Sequence, residues 1–329
     1  MHKSSLAFFS VVIVLALALS GCGAGSQPAA GAASVPGADQ QLSGTIAVSG
    51  AFALYPMMTV WAGEFTKLHP QVQFDVQGGG AGKGMTDTLA GAVDIGMISR
   101  TIKPQEEANG AFWVPVAKDA VFPIVSTQNP LLADLTAKGL TQDVIKRIFV
   151  TGEMKTWGDV IGNPAVTDQI HVFTRSDSAG AADQWALYAG GKAQADLQGI
   201  GVNGEPALVD TVGKDPLGIG FSNLNSVFDA SSGKLVAGVV VPPIDINGNG
   251  TVDAGEYYQT KAEAVKAIAD GTYPSPPARF ENLATKGKPQ GLVLAFIQWI
   301  LTDGQQYLEQ AGYVELTPAQ QAEALTKLK

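Results

Sequence analysis

Residues 43–85, SGTIAVSGAFALYPMMTVWAGEFTKLHPQVQFDVQGGGAGKGM, carry the pattern that decides the fold. A β-prone run at 43–48 meets a glycine turn, and a helix follows over 55–69. In that helix Met58, Trp61, Phe65 and Leu68 recur at helical spacing and read as core. His69 and Pro70 close it, 72–76 forms the next strand, and a glycine cluster leads into a helix over 83–92. A third strand at 94–98 ends at Ser99-Arg100. Strand, turn and helix in this alternation predict α/β layers with mainly parallel strands.

Further on, a strand at 120–126 precedes Thr127-Gln128-Asn129-Pro130, a loop placed to carry the chain into a second lobe. Helices at 141–149 and 182–188 and strands at 171–174 and 219–222 build that lobe. A strand at 234–241 leads back, and helices at 260–269 and 291–302 complete the first. The expected fold is a bilobed α/β protein: 42–124 and 232–329 form lobe 1, and 125–231 form lobe 2. Two crossings place a ligand in the cleft between lobes.

The N-terminus reads as an address. A weakly basic start and the apolar run 6–19 are too short to span a bilayer and end at Leu19-Ser20-Gly21-Cys22. Residues 1–21 are expected to be a lipoprotein signal peptide, with Cys22, the only cysteine in the chain, as the lipidated N-terminus. An ordinary signal peptide with an incidental cysteine is the alternative. Residues 22–41, rich in Gly, Ala, Ser and Pro, read as a flexible tether. The expected location is the extracytoplasmic face of the cell envelope, in periplasm or on the outer surface. A net charge of −9 argues against nucleic acid.

Four loops are candidate ligand contacts: Gly50-Ala51-Phe52, Gly80-Ala81-Gly82, Ser99-Arg100, and Arg175 and Asp177 with Ala179-Gly180-Ala181. Glycine-rich turns ahead of helices present backbone N–H groups at the positive end of the helix dipole, where an anion is favoured. Each also has a purely structural reading. Glycine clusters after strands are often only turns. Arg100 and Arg175 could be salt-bridge partners, Lys118-Asp119 an exposed ion pair, and Trp61, Trp157, Trp185 and Trp299 core.

Six stretches occur in the order SGAFALYPMMTVWAGEF, VQGGGAGKGM, AVDIGMISR, TWGDV, TRSDSAGAADQW and LGIGFSNL, with the tail FIQWILTDGQQYLEQAGYVEL. Together they resemble the substrate-binding component of bacterial phosphate ABC importers, the PstS-like branch of the type II periplasmic binding proteins. The resemblance implies a solute-binding protein, expected to be a monomer, that closes by a hinge on phosphate or a related oxyanion and presents it to an ABC permease. It also implies hydroxyl-bearing residues where this chain has Ala51, Phe52, Ala81, Ala179 and Ala181, whereas Ser99, Arg100, Arg175 and Asp177 persist. A neutral hydrogen bond is worth about 0.5–1.5 kcal/mol net, so the losses weaken phosphate binding unless Arg100, Arg175, Lys83 or backbone N–H groups compensate. The alternatives are a larger or less polar ligand in an alanine-lined cleft near Phe52 and Trp185, or a surface sensor without transport.

Residues 245–256, DINGNGTVDAGE, fit the EF-hand calcium loop. Asp245, Asn247, Asn249, Asp253 and Glu256 supply side-chain oxygens, Thr251 its carbonyl, and Gly250 the sharp turn. Pro242-Pro243 excludes the usual preceding helix, so Ca2+ is expected as a structural staple; a turn without an ion is the alternative. Catalysis is not expected: His2, His69 and His171 lack zinc-ligand spacing, and no nucleophile elbow appears.

Overall fold

The computed structural model describes residues 42–329; the segments expected to be a signal peptide and a tether, with Cys22, lie outside the described residues. No helix among the described residues is long and apolar enough to cross a membrane.

Among the described residues nine strands form one sheet: β1 (Ser43–Gly50), β2 (Gln71–Gly78), β3 (Ile95–Ile98), β4 (Ala111–Ser126), β5 (His171–Arg175), β6 (Ile200–Val202), β7 (Gly218–Asn223), β8 (Val239–Val240) and β9 (Ala278–Lys286). Their order is β2-β1-β3-β9-β4-β7-β5-β6, with β8 beside β4. Pairing is parallel for β1 with β2 and β3, and for β5 with β6 and β7. It is antiparallel wherever β4 or β9 takes part. Parallel α/β units therefore lie at both ends of the sheet, and the two connecting strands run against them.

Two hydrophobic cores flank that connection. One gathers Ile46, Trp61, Phe65, Met97, Leu283, Phe296 and Tyr313. The other gathers Phe122, Phe149, Trp157, Trp185, Phe221, Phe228 and Tyr273. Strand β4 serves both, with Val114 and Ala117 in the first core and Val121 to Val125 in the second. The crossing is thus made within one long strand, near Ala117, where the register with β9 shifts, and not in the loop 127–130.

The return differs too. Val241, Ile244, Tyr258, Ala264, Ile268 and Tyr273 all pack in the second core. Residues 232–277, with the calcium loop, therefore belong with lobe 2, and the chain re-enters lobe 1 only along β9. The expected strand 234–241 shrinks to Val239–Val240. Pro242 and Pro243 lack the N–H needed to lengthen it.

Three helices position the site. Helix α1 (Tyr55–Leu68) buries Met58, Trp61 and Phe65 as the spacing predicts. Helix α2 (Ala81–Ala90) starts from Gly80, whose φ of 88° suits glycine. Helix α3 (Gly180–Tyr188) starts directly after Ala179 and buries Trp185.

Candidate functional site

Loops from both halves converge on one small cavity. Ala51, Phe52, Ala53, Gly80, Ala81 and Ser99 line it from the first, and Arg175, Ala179, Gly180, Ala181, Glu205 and Asn223 from the second. Its volume is about 10 Å³, room for about one water. Ala51, Ala81, Ala179 and Ala181 are all buried and set methyl groups in the wall beside Ser99, Arg175, Glu205 and Asn223. Helices α2 and α3 begin at this wall, and their first-turn N–H groups have no intrahelical acceptor.

The remaining expected contacts stand around this cavity. The carbonyl of Gly50 accepts from the N–H groups of Gly79 (2.9 Å) and Gly80 (3.0 Å), which shapes the second loop. The Gly82 N–H donates to the Ser178 carbonyl at 3.0 Å and so stitches α2 to the fourth loop. Lys83 is turned to Asp87 as an ion pair. Trp185 is not near the cavity surface; it is fully buried in the second core, stacked on Phe221 at 5.7 Å.

Both arginines are engaged by carboxylates. Arg175 donates through Nε to Asp177 (2.8 Å) and through Nη1 to Glu205 (2.5 Å), and Phe52 covers its guanidinium with the ring centroid 5.5 Å away. Burial opposes the charge of Asp177, but the Arg175 hydrogen bond and the Gly204 N–H outweigh it and hold the carboxyl below its usual range. Arg100 forks onto Glu106 at 2.9 and 2.7 Å and pairs with Asp183 at 3.4 Å. It lines a neighbouring cavity of about 300 Å³ with Trp113, Gln184 and Arg279. Each guanidinium thus faces two carboxylates.

Glu205 and Asn223 were not legible as site residues. Glu205 is the first residue of helix α4 (Glu205–Lys214), after Gly204 at φ 84°, and Asn-Gly-Glu-Pro reads locally as a turn. Asn223 lies at the end of β7 inside LGIGFSNL, where the β4 pairing, the Glu205 contact and the Arg279 hydrogen bond give it a role.

The loop 245–256 sits against the second half through Leu140, whose carbonyl accepts from the Asp245 N–H at 3.2 Å. Asp245 and Glu256, its first and twelfth positions, are buried. Asp245 accepts from the N–H groups of Gly248 (2.7 Å) and Gly250 (2.8 Å), and Glu256 from those of Ile246 and Asp253, both at 2.8 Å. Asp253 is held by the side-chain amides of Asn247 (2.7 Å) and Asn249 (2.9 Å). Asn249 also accepts from the Thr251 N–H and hydroxyl. Among the described residues no group of three His, Cys, Asp or Glu converges as a ready metal set.

Residues 35–304 match the PBP superfamily domain. The chain is 26% identical over 320 residues to the phosphate-binding protein PstS of Bacillus subtilis, covering 96% of each. It is 27% identical to the phosphate-binding protein PstS of Pseudomonas aeruginosa, covering 87% of each. Among solved structures, it superposes with TM-score 0.67 and 22% identity on a Clostridium perfringens protein described as a phosphate ABC transporter substrate-binding protein with bound phosphate, covering 83% of this chain and 100% of that one. An ABC-type phosphate transport receptor from Vibrio cholerae gives TM-score 0.60 and 21% identity over 82% of this chain and 100% of that one. With a bilobed α/β architecture, a shared cavity between the loops and this match over most of its length, the chain belongs to the PBP superfamily domain family.

Proposed function

We propose that this chain is the extracytoplasmic solute-binding component of an ABC importer, lipid-anchored at Cys22, closing its lobes on phosphate or a related oxyanion and delivering it to a permease. The observation that carries the reading is the convergence of loops from both cores on one cavity beside Arg175, with two helix N-termini at its wall. The similarity to phosphate-binding proteins of Bacillus subtilis and Pseudomonas aeruginosa supports it. Closure follows from differential affinity: a ligand that touches both lobes favours the state in which both are near. Calorimetric titration of the purified protein with inorganic phosphate tests this, with saturable binding expected. No heat at millimolar phosphate would exclude it.

The methyl-lined wall and the doubly paired arginines favour a second reading, a larger or less polar small molecule. A thermal-shift screen of neutral and zwitterionic solutes separates the two.

The loop 245–256 is proposed as a structural Ca2+ site. An all-oxygen donor set of Asp245, Asn247, Asn249, the Thr251 carbonyl, Asp253 and Glu256 suits a hard cation. Bound Ca2+ would replace the hydrogen bonds of the two buried carboxylates and tie Ile244 to the segment before helix α5 (Lys261–Asp270). Ca2+ at 100 times its Kd should stabilise the fold by about 2.7 kcal/mol. The melting temperature is expected to rise in calcium and fall in chelator, and Glu256→Gln should erase the difference. Equal melting in both buffers would leave the loop as an Asx-rich turn.

A further inference from the structure

We propose that Glu205 sets what the cleft accepts, its carboxylate being a built-in anion seated on donors that would otherwise hold an oxyanion. Its side chain is completely buried and lines the cavity. One oxygen accepts from the Asn223 backbone N–H at 2.6 Å and from the Ser222 hydroxyl. The other accepts from Arg175 Nη1 at 2.5 Å. A guanidinium, a hydroxyl and a backbone amide converging on one carboxylate is the donor set that recognises free carboxylates and phosphates. Here the chain supplies the anion itself.

Charge neutrality does not explain this carboxylate. Arg175 already has Asp177 on its Nε, and Asp177 is further fixed by the Gly204 N–H at 2.9 Å. Adding Glu205, which lines the cavity of about 10 Å³ beside Arg175, leaves that one guanidinium against two carboxylates. In such a buried place like charges interact several-fold more strongly than in water. A fully ionised oxyanion entering there meets occupied donors and net repulsion. The inference rests on the oxyanion reading for its ligand, but the cradle can be tested without it.

Glu205→Ala should convert the vacated cradle into a site for a small free carboxylate. Formate is the probe: it should raise the melting temperature of the Glu205→Ala protein and leave that of wild type unchanged. Inorganic phosphate is then titrated into wild type, Glu205→Ala and Glu205→Gln, the last being nearly isosteric and the safer fold. Phosphate affinity should rise about tenfold or more in the Gln variant, because one buried negative charge is gone. Formate without effect on Glu205→Ala would overturn the cradle. Phosphate binding to wild type that is no tighter in the variants would overturn the specificity role alone, leaving Glu205 as a positioning residue for Arg175. Formate rescue with no phosphate binding in any of the three proteins would keep the cradle and sink the oxyanion reading.

Discussion

Gly180→Ala is expected to weaken ligand binding about 5- to 150-fold while leaving the melting temperature at or above that of wild type. A Cβ on Gly180 would lie 2.3 Å from the Ser99 hydroxyl and 2.4 Å from the Ser99 carbonyl oxygen. The hydroxyl can rotate away; the carbonyl, fixed at the end of β3, cannot. Ser99 belongs to the first half and Gly180 to the second, so the clash is relieved by separating the lobes. Overpacking of this kind costs about 1–3 kcal/mol, and each 1.4 kcal/mol is tenfold in affinity. Within its own lobe the substitution is benign: Gly180 is helical, and alanine is the better helix former by up to about 1 kcal/mol. Gly63→Ala, which meets nothing within 4 Å, is the control. Titration paired with small-angle scattering reads the effect as weaker binding and a larger radius of gyration. Wild-type affinity in the variant would mean that the Gly180–Ser99 contact is not part of the bound state.

The greatest loss of stability should come from Arg279→Ala, about 3–5 kcal/mol in chemical denaturation, the range for removing one partner of a buried ion pair. Arg279 lies on β9 opposite Asp119 of β4, where the sheet passes between cores. It reaches Asp119 at 3.3 Å, Glu281 at 3.2 Å and the Asn223 side-chain oxygen, and all four residues are buried. Burial pushes Asp119 up from 3.8 to about 6, with Arg279 acting against it. Burial likewise pushes Glu281 up from 4.5 to about 8. Burial thus shifts Glu281 further toward its neutral form than Asp119, which stands as the counter-charge to Arg279 across the strand pair. Both carboxyls have folded values above their unfolded ones, so in this window the folded state binds more protons. Their contribution is therefore complete below about pH 4 and is lost as pH rises through 6 and then 8. Stability should decline from about pH 4 to about pH 8 in wild type and level off above that, and Glu281→Gln should remove the part of the decline above pH 6. A level wild-type profile, or a loss under 1 kcal/mol in Arg279→Ala, would contradict the assignment.

The local signals in the sequence were good guides to local structure. The glycine loops ahead of α2 and α3, the helix carrying Trp61 and Phe65, and the first three strands stand within a few residues of where periodicity puts them. Strand β9 escaped notice because both its faces are buried and it carries Arg279 and Glu281, so neither alternation nor apolar content marks it. The front half of β4 was missed for a related reason: Pro115 and Lys118 interrupt a run that becomes a strand only when β9 lies beside it. The same holds at the site. Ala51, Ala81, Ser99, Arg175 and Ala179 could be named from their loops, whereas Glu205 required the fold to bring α4 beneath β5 and β7. Salt-bridge partners were a stated alternative for Arg100 and Arg175, but the second carboxylate on each could not be read, since Asp183 and Glu205 are distant from them in sequence.

The pairing of Asp119 with Arg279 and of Ala120 with Ala278 sets the entry and exit of the second core side by side. On a growing chain, residues 120–278 can therefore gather into a nucleus of their own before synthesis ends. The first core has no such freedom. Strand β3 finds its partner β9 only after residue 282 is made, and Ala324 and Leu328 of the helix Pro318–Leu328 join that core later still. Strands β1 to β3 thus wait for most of translation with an unpaired edge and an unfilled hydrophobic face. A chain cut short before helix Pro318–Leu328 would keep one half formed and leave the other open to aggregation.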